Sequence, residues 1–148
     1  MFTIVNDLIV GISTQVEVVA PTFSELAKQI NVEDNSQCNT DLKYAVLPKS
    51  FTQISGALKF VTIQQNFEIK LTKQYSSSQL DDSNKRTVTI ELFDLTYDIY
   101  KKIIETKAGL PAVVINILDL SVSDPIYLES DHTSLVTSNF SIVYRVQI

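Results

Sequence analysis

The residues best suited to chemistry in this chain are its single histidine, His132, and its single cysteine, Cys38. His132 follows Ser130 and Asp131 and precedes Ser134, so the three residue types of a hydrolase catalytic triad occur close together. Neighbours in sequence do not form the line of nucleophile, base and orienting acid that such catalysis needs. We therefore interpret His132 as a surface residue of a loop before a strand. Cys38 lies in a polar segment without a basic neighbour, which does not indicate an activated thiolate.

The remaining chemistry would have to come from carboxylates. Asp94 and Asp98 are four residues apart on a predicted helix and so share one face, and Asp81 and Asp82 are adjacent. A carboxylate pair holds Mg²⁺ only with substrate phosphates and further ligands. The chain has no glycine-rich phosphate loop, because its three glycines lie far apart. One His and one Cys exclude an internal disulfide and the usual His/Cys metal sites. A site made only of carboxylates stays formally open, but we predict no catalytic residue, no cofactor and no metal.

Composition points to a single globular domain over residues 1–148. The hydrophobic fraction is 45% and the net charge is −5, and an acidic chain without a Lys/Arg cluster does not favour binding to a phosphate backbone. No apolar stretch approaches the roughly 20 residues that a membrane helix requires. The N-terminus lacks the basic and apolar regions of a secretory signal. We expect synthesis in a cytoplasm and no contact with a membrane.

The first quarter of the chain predicts helices. Apolar residues between positions 3 and 19 recur every three or four residues, which is typical of a one-faced helix. Thr22 and Glu25 form a capping-box pattern, and Phe23, Leu26 and Ile30 then predict a short second helix. Residues 31–42 are polar and indicate an exposed connection.

The middle of the chain predicts two strands and a long helix. Residues 43–47 form a short apolar strand that we expect to end at Pro48. Residues 61–71 alternate between apolar and polar side chains, with Gln65 the one polar residue in the apolar set. A stripe with helical spacing then predicts a helix over 85–106 that stops at Gly109.

The last third predicts two more strands. Residues 112–120 are a nearly continuous apolar run, which favours a central strand buried on both faces. Asp124 and Pro125 predict a turn, and residues 140–148 alternate again. This order favours the α+β class, a mainly antiparallel (mixed) β-sheet with a long helix and N-terminal helices packed on one face.

Two loop-like segments carry large apolar side chains that one buried face does not explain. Apolar surface of this kind marks interfaces, although such residues can also fold back onto the core of the monomer. The predicted interface residues are Leu47, Pro48, Phe51, Ile126, Tyr127 and Leu128.

The run KYAVLP at residues 43–48 is similar to a Y-G-V-x-P stretch of the tail-completion proteins of long-tailed bacteriophages. It is followed by the alternating strand ending at 67–72, the long helix through 99–100, the apolar run 113–117 and the terminal strand 140–145. This order resembles the bacteriophage tail-terminator family over about residues 40–148. Ala45 stands where a glycine is commoner in the family.

The resemblance implies a structural virion protein without catalytic residues. Proteins of this family assemble as a ring, typically a hexamer, which caps the tail tube (or sheath) and joins the tail to neck or connector proteins. DNA passes through the lumen without specific binding. Two alternatives remain open at this point: a neck or head–tail connector ring, and a small cytosolic enzyme or ligand-binding domain with a deep polar pocket.

Overall fold

A computed structural model describes residues 2–20, 24–25, 43–74, 82–110, 112–128 and 133–147. In chain order the helices and strands are α1 (Phe2–Val19), β1 (Ser24–Glu25), β2 (Lys43–Gly56), β3 (Phe60–Gln74), α2 (Asp82–Thr106), β4 (Val114–Val122), β5 (Ile126–Leu128) and β6 (Thr133–Gln147). A 3₁₀ turn, Lys107–Gly109, follows α2 directly.

The strands form one sheet in the order β1-β2-β3-β6-β4, and β5 pairs with the beginning of β6. Only the β1–β2 pair is parallel, and every other pair is antiparallel. Both helices pack on the same face of the sheet. The predicted α+β class with a mainly antiparallel sheet is therefore confirmed.

The core lies between this sheet face and the two helices. The helices contribute residues spaced four or seven apart, and the central strands contribute residues spaced two or four apart. These spacings follow from the helical and extended periods of the backbone. The buried members are Leu8, Ile12 and Val16 of α1, Leu92, Ile99 and Ile103 of α2, Ile63, Phe67, Ile69 and Leu71 of β3, and Val136, Phe140, Ile142 and Tyr144 of β6. The predicted apolar set of the 61–71 strand is confirmed as the centre of the core.

The predicted second helix is wrong where the structure describes it. Ser24 and Glu25 form β1, which pairs in parallel with Lys43 and Tyr44. The capping-box pattern is a local signal, and here a tertiary contact with the edge of β2 decides the conformation. The rest of the predicted helix, the polar connection 31–42 and Cys38 lie outside the described residues.

The strand that was expected to stop at Pro48 continues to Gly56. Proline removes one backbone donor, which an outer strand or a bulge tolerates. Pro48 lies in the part of β2 that β1 does not cover, where a bulge begins between the pairs Pro48–Phe67 and Phe51–Gln65. Strand β2 is therefore much longer than the predicted strand 43–47.

The apolar run near residue 115 is not a central strand, which corrects the prediction. It forms β4 at the edge of the sheet, and Ile115 and Val122 are each more than two-fifths exposed. The central position belongs to β6, which begins at Thr133, seven residues earlier than expected. Small buried polar residues such as Ser134 and Ser138 hid the first half of β6 from the hydropathy pattern.

Helix α2 begins three residues before the predicted start and ends where expected. The left-handed conformation typical of helix ends starts two residues before the predicted Gly109, since Lys107 and Ala108 have φ +51° and +53° and Gly109 has φ +73°. Neither helix in the described part of the chain is long and apolar enough to cross a membrane.

Candidate assembly surface

The second half of β2 and the turn into β3 form one border of the sheet, and we define residues 48–60 as the arm. Every residue of the arm is exposed. Its only charged residues are Lys49 and Lys59. The large apolar side chains of the arm are Phe51, Ile54, Leu58 and Phe60, which are between 45% and 100% exposed. Apolar side chains exposed together at this density are typical of an interaction surface.

Polar side chains of β3 hold the base of the arm in place. The buried Gln65 donates from Nε2 to the carbonyl oxygen of Lys49 at 2.6 Å. The Nζ of Lys49 lies 2.8 Å from Oε2 of Glu68, and Nδ2 of Asn66 donates to Oγ of Ser50 at 3.1 Å. These contacts satisfy the backbone of the bulge and hold the arm against β3. They also explain the polar residue within the apolar set of β3.

The opposite edge of the sheet is the outer side of β4. No other strand pairs with this side among the described residues. A second bulge, between Leu118 and Ser121, contains Asp119 with φ +64°. Asp119 and Asp124 are the only charged residues of the segment 112–124. The charged residues of the arm and of the segment 112–124 are therefore of opposite sign, although Lys49 of the arm also pairs with Glu68.

A groove runs between β4 and the end of α2, and we call it the β4 groove. It is lined by Ile104, Lys107, Val114, Ile115, Asn116 and Ile117. Ile104 and Ile115 are close to half exposed. The β4 groove thus offers an apolar wall directly beside a free strand edge.

The six predicted interface residues lie in two places rather than one. Leu47, Pro48 and Phe51 belong to β2, and the other three form β5, with β3 and β6 between the two groups. The hydroxyl of Tyr127 lies 3.0 Å from Oγ1 of Thr89, so Tyr127 packs back onto α2. Phe51 and Ile126 are both about half exposed. Their role in an interface stays a prediction.

Sequence reasoning missed a second apolar stripe on the long helix. Ile90, Phe93, Tyr97 and Ile104 are spaced three, four and seven residues apart and are all exposed on α2. The helical spacing of these residues is visible in the sequence. The core-facing stripe of α2 has nearly the same spacing and is more apolar, so the second stripe was not distinguished from it.

The residues considered for catalysis are not brought together in the described part of the chain. Asp94 and Asp98 are exposed on α2, and Asp98 forms an ion pair with Lys101 at 3.3 Å. Ser134, which was expected in a loop, is buried in β6, with its hydroxyl 3.2 Å from Oγ1 of Thr89. His132 lies outside the described residues. No group of three or more His, Cys, Asp or Glu side chains within the described ranges could hold a metal ion.

An open polar hollow lies between the two edges, with Lys49 on one rim and Asp119 on the other. Its floor is already hydrogen-bonded within the chain, since Oγ of Ser141 donates to Oδ1 of Asn66 at 2.6 Å. A deep ligand site presents convergent polar groups that are free to bind the ligand. The polar groups of this floor bind each other instead, so the hollow differs from such a site.

Comparison with known proteins gives no family assignment from sequence. No family model matches the chain, and no curated protein matches it. Its structure is similar to that of the sheath/tube terminator of an extracellular contractile injection system, PVC, in the extended state. The sequence identity is 11% and the TM-score is 0.46, over 95% of this chain and 56% of that protein. The chain therefore spans little more than half the length of the terminator that it matches.

Proposed function

We propose that this chain is a structural virion protein that forms a ring at the head-proximal end of a phage tail. The ring caps polymerisation of the tail tube or sheath and joins the tail to neck proteins. The observation that carries the proposal is the position of the four strand segments of the tail-terminator resemblance. They are β2, β3, β6 and β4, which lie side by side in one sheet with two different borders. One border is the arm of β2, beyond its short pairing with β1, and the other is the outer side of β4, and no strand among the described residues pairs with either.

Two different free edges suit a ring. When two unlike surfaces of the same chain bind each other, the contact repeats from subunit to subunit around an axis. The subunits close into a ring if the rotation between neighbours is a whole fraction of a full turn. We expect a hexamer. Free strand edges and exposed apolar side chains also expose a monomer to uncontrolled association, and a closed ring removes that risk.

The capping mechanism is steric. A ring whose face matches the end of the tube occupies the place that the next tube ring would take, so growth stops without any bond being made or broken. The net charge of −5 disfavours adhesion of DNA, which is also anionic, and so allows it to slide through the lumen.

Native mass spectrometry and electron microscopy of the purified full chain test the proposal. We expect a ring of fixed subunit number at micromolar concentration. When the chain is added to tail-tube protein from the same genome, we expect tubes to stop growing and to carry one ring at one end. A chain that stays monomeric both alone and with tube protein contradicts the proposal. Rings that bind only a portal or connector protein favour the neck role instead.

A further inference from the structure

We infer that the arm of one copy pairs as an antiparallel strand with the free edge of β4 in the next copy. In this arrangement Phe51 enters the β4 groove of the neighbour and Lys49 lies beside Asp119 of the neighbour. The inference rests on the proposed ring and names the contact that closes it.

Strand direction supports the pairing. Strands β2 and β6 run one way, and β3 and β4 run the other way. A copy generated by rotation about an axis along the strands keeps its strand directions. Its β2 therefore meets β4 of the first copy in antiparallel sense, the arrangement that every long neighbouring pair in this sheet already has.

Charge supports the same pairing. The charged residues of the arm are both lysines and those of the segment 112–124 are both aspartates. Lys49 also pairs with Glu68 of its own chain, but its side chain is 46% exposed, so it has room for a second carboxylate. Pro48 pairs with Phe67, and Phe67 pairs with Phe140, which lies opposite the β4 bulge that contains Asp119. Lys49 and Asp119 therefore lie at the same position along the strand direction, on opposite sides of the sheet. In a ring whose subunits are not displaced along the ring axis, Lys49 of one copy meets Asp119 of the next. Complementary charges at matching positions set the register of an interface.

The apolar contact follows from the same register. Phe51 pairs with Gln65, Gln65 with Ile142, and Ile142 with Ile117, so these four residues form one row across the sheet. Side chains of one row share a face, and Gln65 and Ile142 are on the buried, helix-covered side. Phe51 of the next copy would extend that row beyond Ile117, into the β4 groove below Ile104. In this contact the half-exposed side chain of Phe51 and the apolar wall of the β4 groove are both removed from water.

Site-directed cross-linking tests the register. In a Cys38→Ser background, Lys49→Cys and Asp119→Cys are made as two separate full-length variants and mixed. Treatment with a short bis-maleimide should give a covalent dimer in the mixture, and little or none with either variant alone. Each chain carries only one thiol, so a link can form only between copies. The double variant should give a ladder that ends at the subunit number of the ring.

A second pair of variants tests the apolar contact. Phe51→Asp should lower the assembled fraction at least tenfold at equal concentration. Val10→Asp on α1 is the matched control, because Val10 is exposed to nearly the same extent, 57% against 54%, and lies outside the proposed contact. Circular dichroism should show both variants folded, since neither side chain is buried.

The outcomes separate the contact from the function. Rings that form normally with Phe51→Asp, or that give no cross-link between Lys49→Cys and Asp119→Cys, overturn the edge pairing and leave the ring itself standing. Failure of the unmodified chain to form any ring, alone or with tube protein, overturns the proposed function. A dimer specific to the mixture, together with loss of assembly in Phe51→Asp alone, supports the pairing.

Discussion

Gln65 shows how one buried side chain can hold an exposed surface, the arm, in place. Its amide donates to the carbonyl oxygens of Lys49 and Ser50 at the base of the arm. Replacement by leucine leaves these carbonyls without that donor, which should cost about 1–3 kcal/mol in the free energy of unfolding. Urea denaturation measures the cost. Gln64→Leu, on the more exposed face of the same strand, is the control and should change stability by less than about 0.5 kcal/mol. Equal effects of the two substitutions would contradict this role for Gln65.

Two buried tyrosines make a matched pair. The hydroxyl of Tyr44 donates to Oε1 of Glu17 at 2.9 Å, whereas the buried hydroxyl of Tyr144 has no hydrogen-bond partner among the described residues. Tyr44→Phe should therefore lower the free energy of unfolding by about 1–2 kcal/mol, while Tyr144→Phe should leave it unchanged or raise it by about 1 kcal/mol. Thermal and urea unfolding measure both. A loss for Tyr144→Phe as large as that for Tyr44→Phe would show that the Tyr144 hydroxyl has a partner.

Burial also makes stability depend on alkaline pH. It raises the pKa of Tyr144 above its ordinary value of 10.0, so the folded chain holds this proton more tightly than the unfolded chain. The contribution to stability is complete below pH 10.0 and is lost as the pH rises through the folded pKa. We expect the melting temperature to fall above about pH 10, and to fall less steeply in Tyr144→Phe. Identical pH profiles for the two proteins would contradict this assignment.

At the scale of elements, α1 lies very close to the turn after α2 at Gly11. A Cβ atom placed on Gly11 would lie 1.9 Å from the carbonyl oxygen of Ala108, so only glycine fits there. Helix propensity alone would make Gly11→Ala stabilising by about 1 kcal/mol, but the clash should reverse the sign and cost about 1–3 kcal/mol. Urea denaturation against Thr14→Ala, an exposed position on the same helix, separates the two effects. A more stable Gly11→Ala would show that α1 and the turn can move apart freely.

Sequence patterns predicted elements well where a residue's own neighbours decide the structure. The stripe of α2 and the alternation of β3 each describe one buried face, and both were confirmed. The patterns failed where a partner distant in sequence decides, as in β1, which takes its conformation from β2. They failed again for β4, because an apolar run does not reveal how many strands lie beside it.

At the scale of the whole molecule, the arm should change its dynamics on assembly. The arm lies at the border of the sheet with every residue exposed, and such elements open at little cost in free energy. In dilute chain we expect fast hydrogen exchange over 51–60 and slow exchange over 67–72 in the middle of the sheet. In the assembled ring, the arm and β4 should become protected together. Hydrogen-exchange mass spectrometry at two concentrations measures this, and protection elsewhere without protection of the arm would argue against edge pairing.

The class of fold, the helical and extended periods of the core, the end of α2 and the acidic, cysteine-poor composition of the chain could all be predicted from the sequence. These features follow from local periodicity and composition, which need no knowledge of neighbours. The folded chain was needed to show that β2 passes Pro48 into an exposed arm, that β4 lies at an edge, and that Phe51 and Ile117 share one row of the sheet. Strand order and register depend on contacts between residues far apart in the chain, and a free edge exists only once all the other pairings have been made.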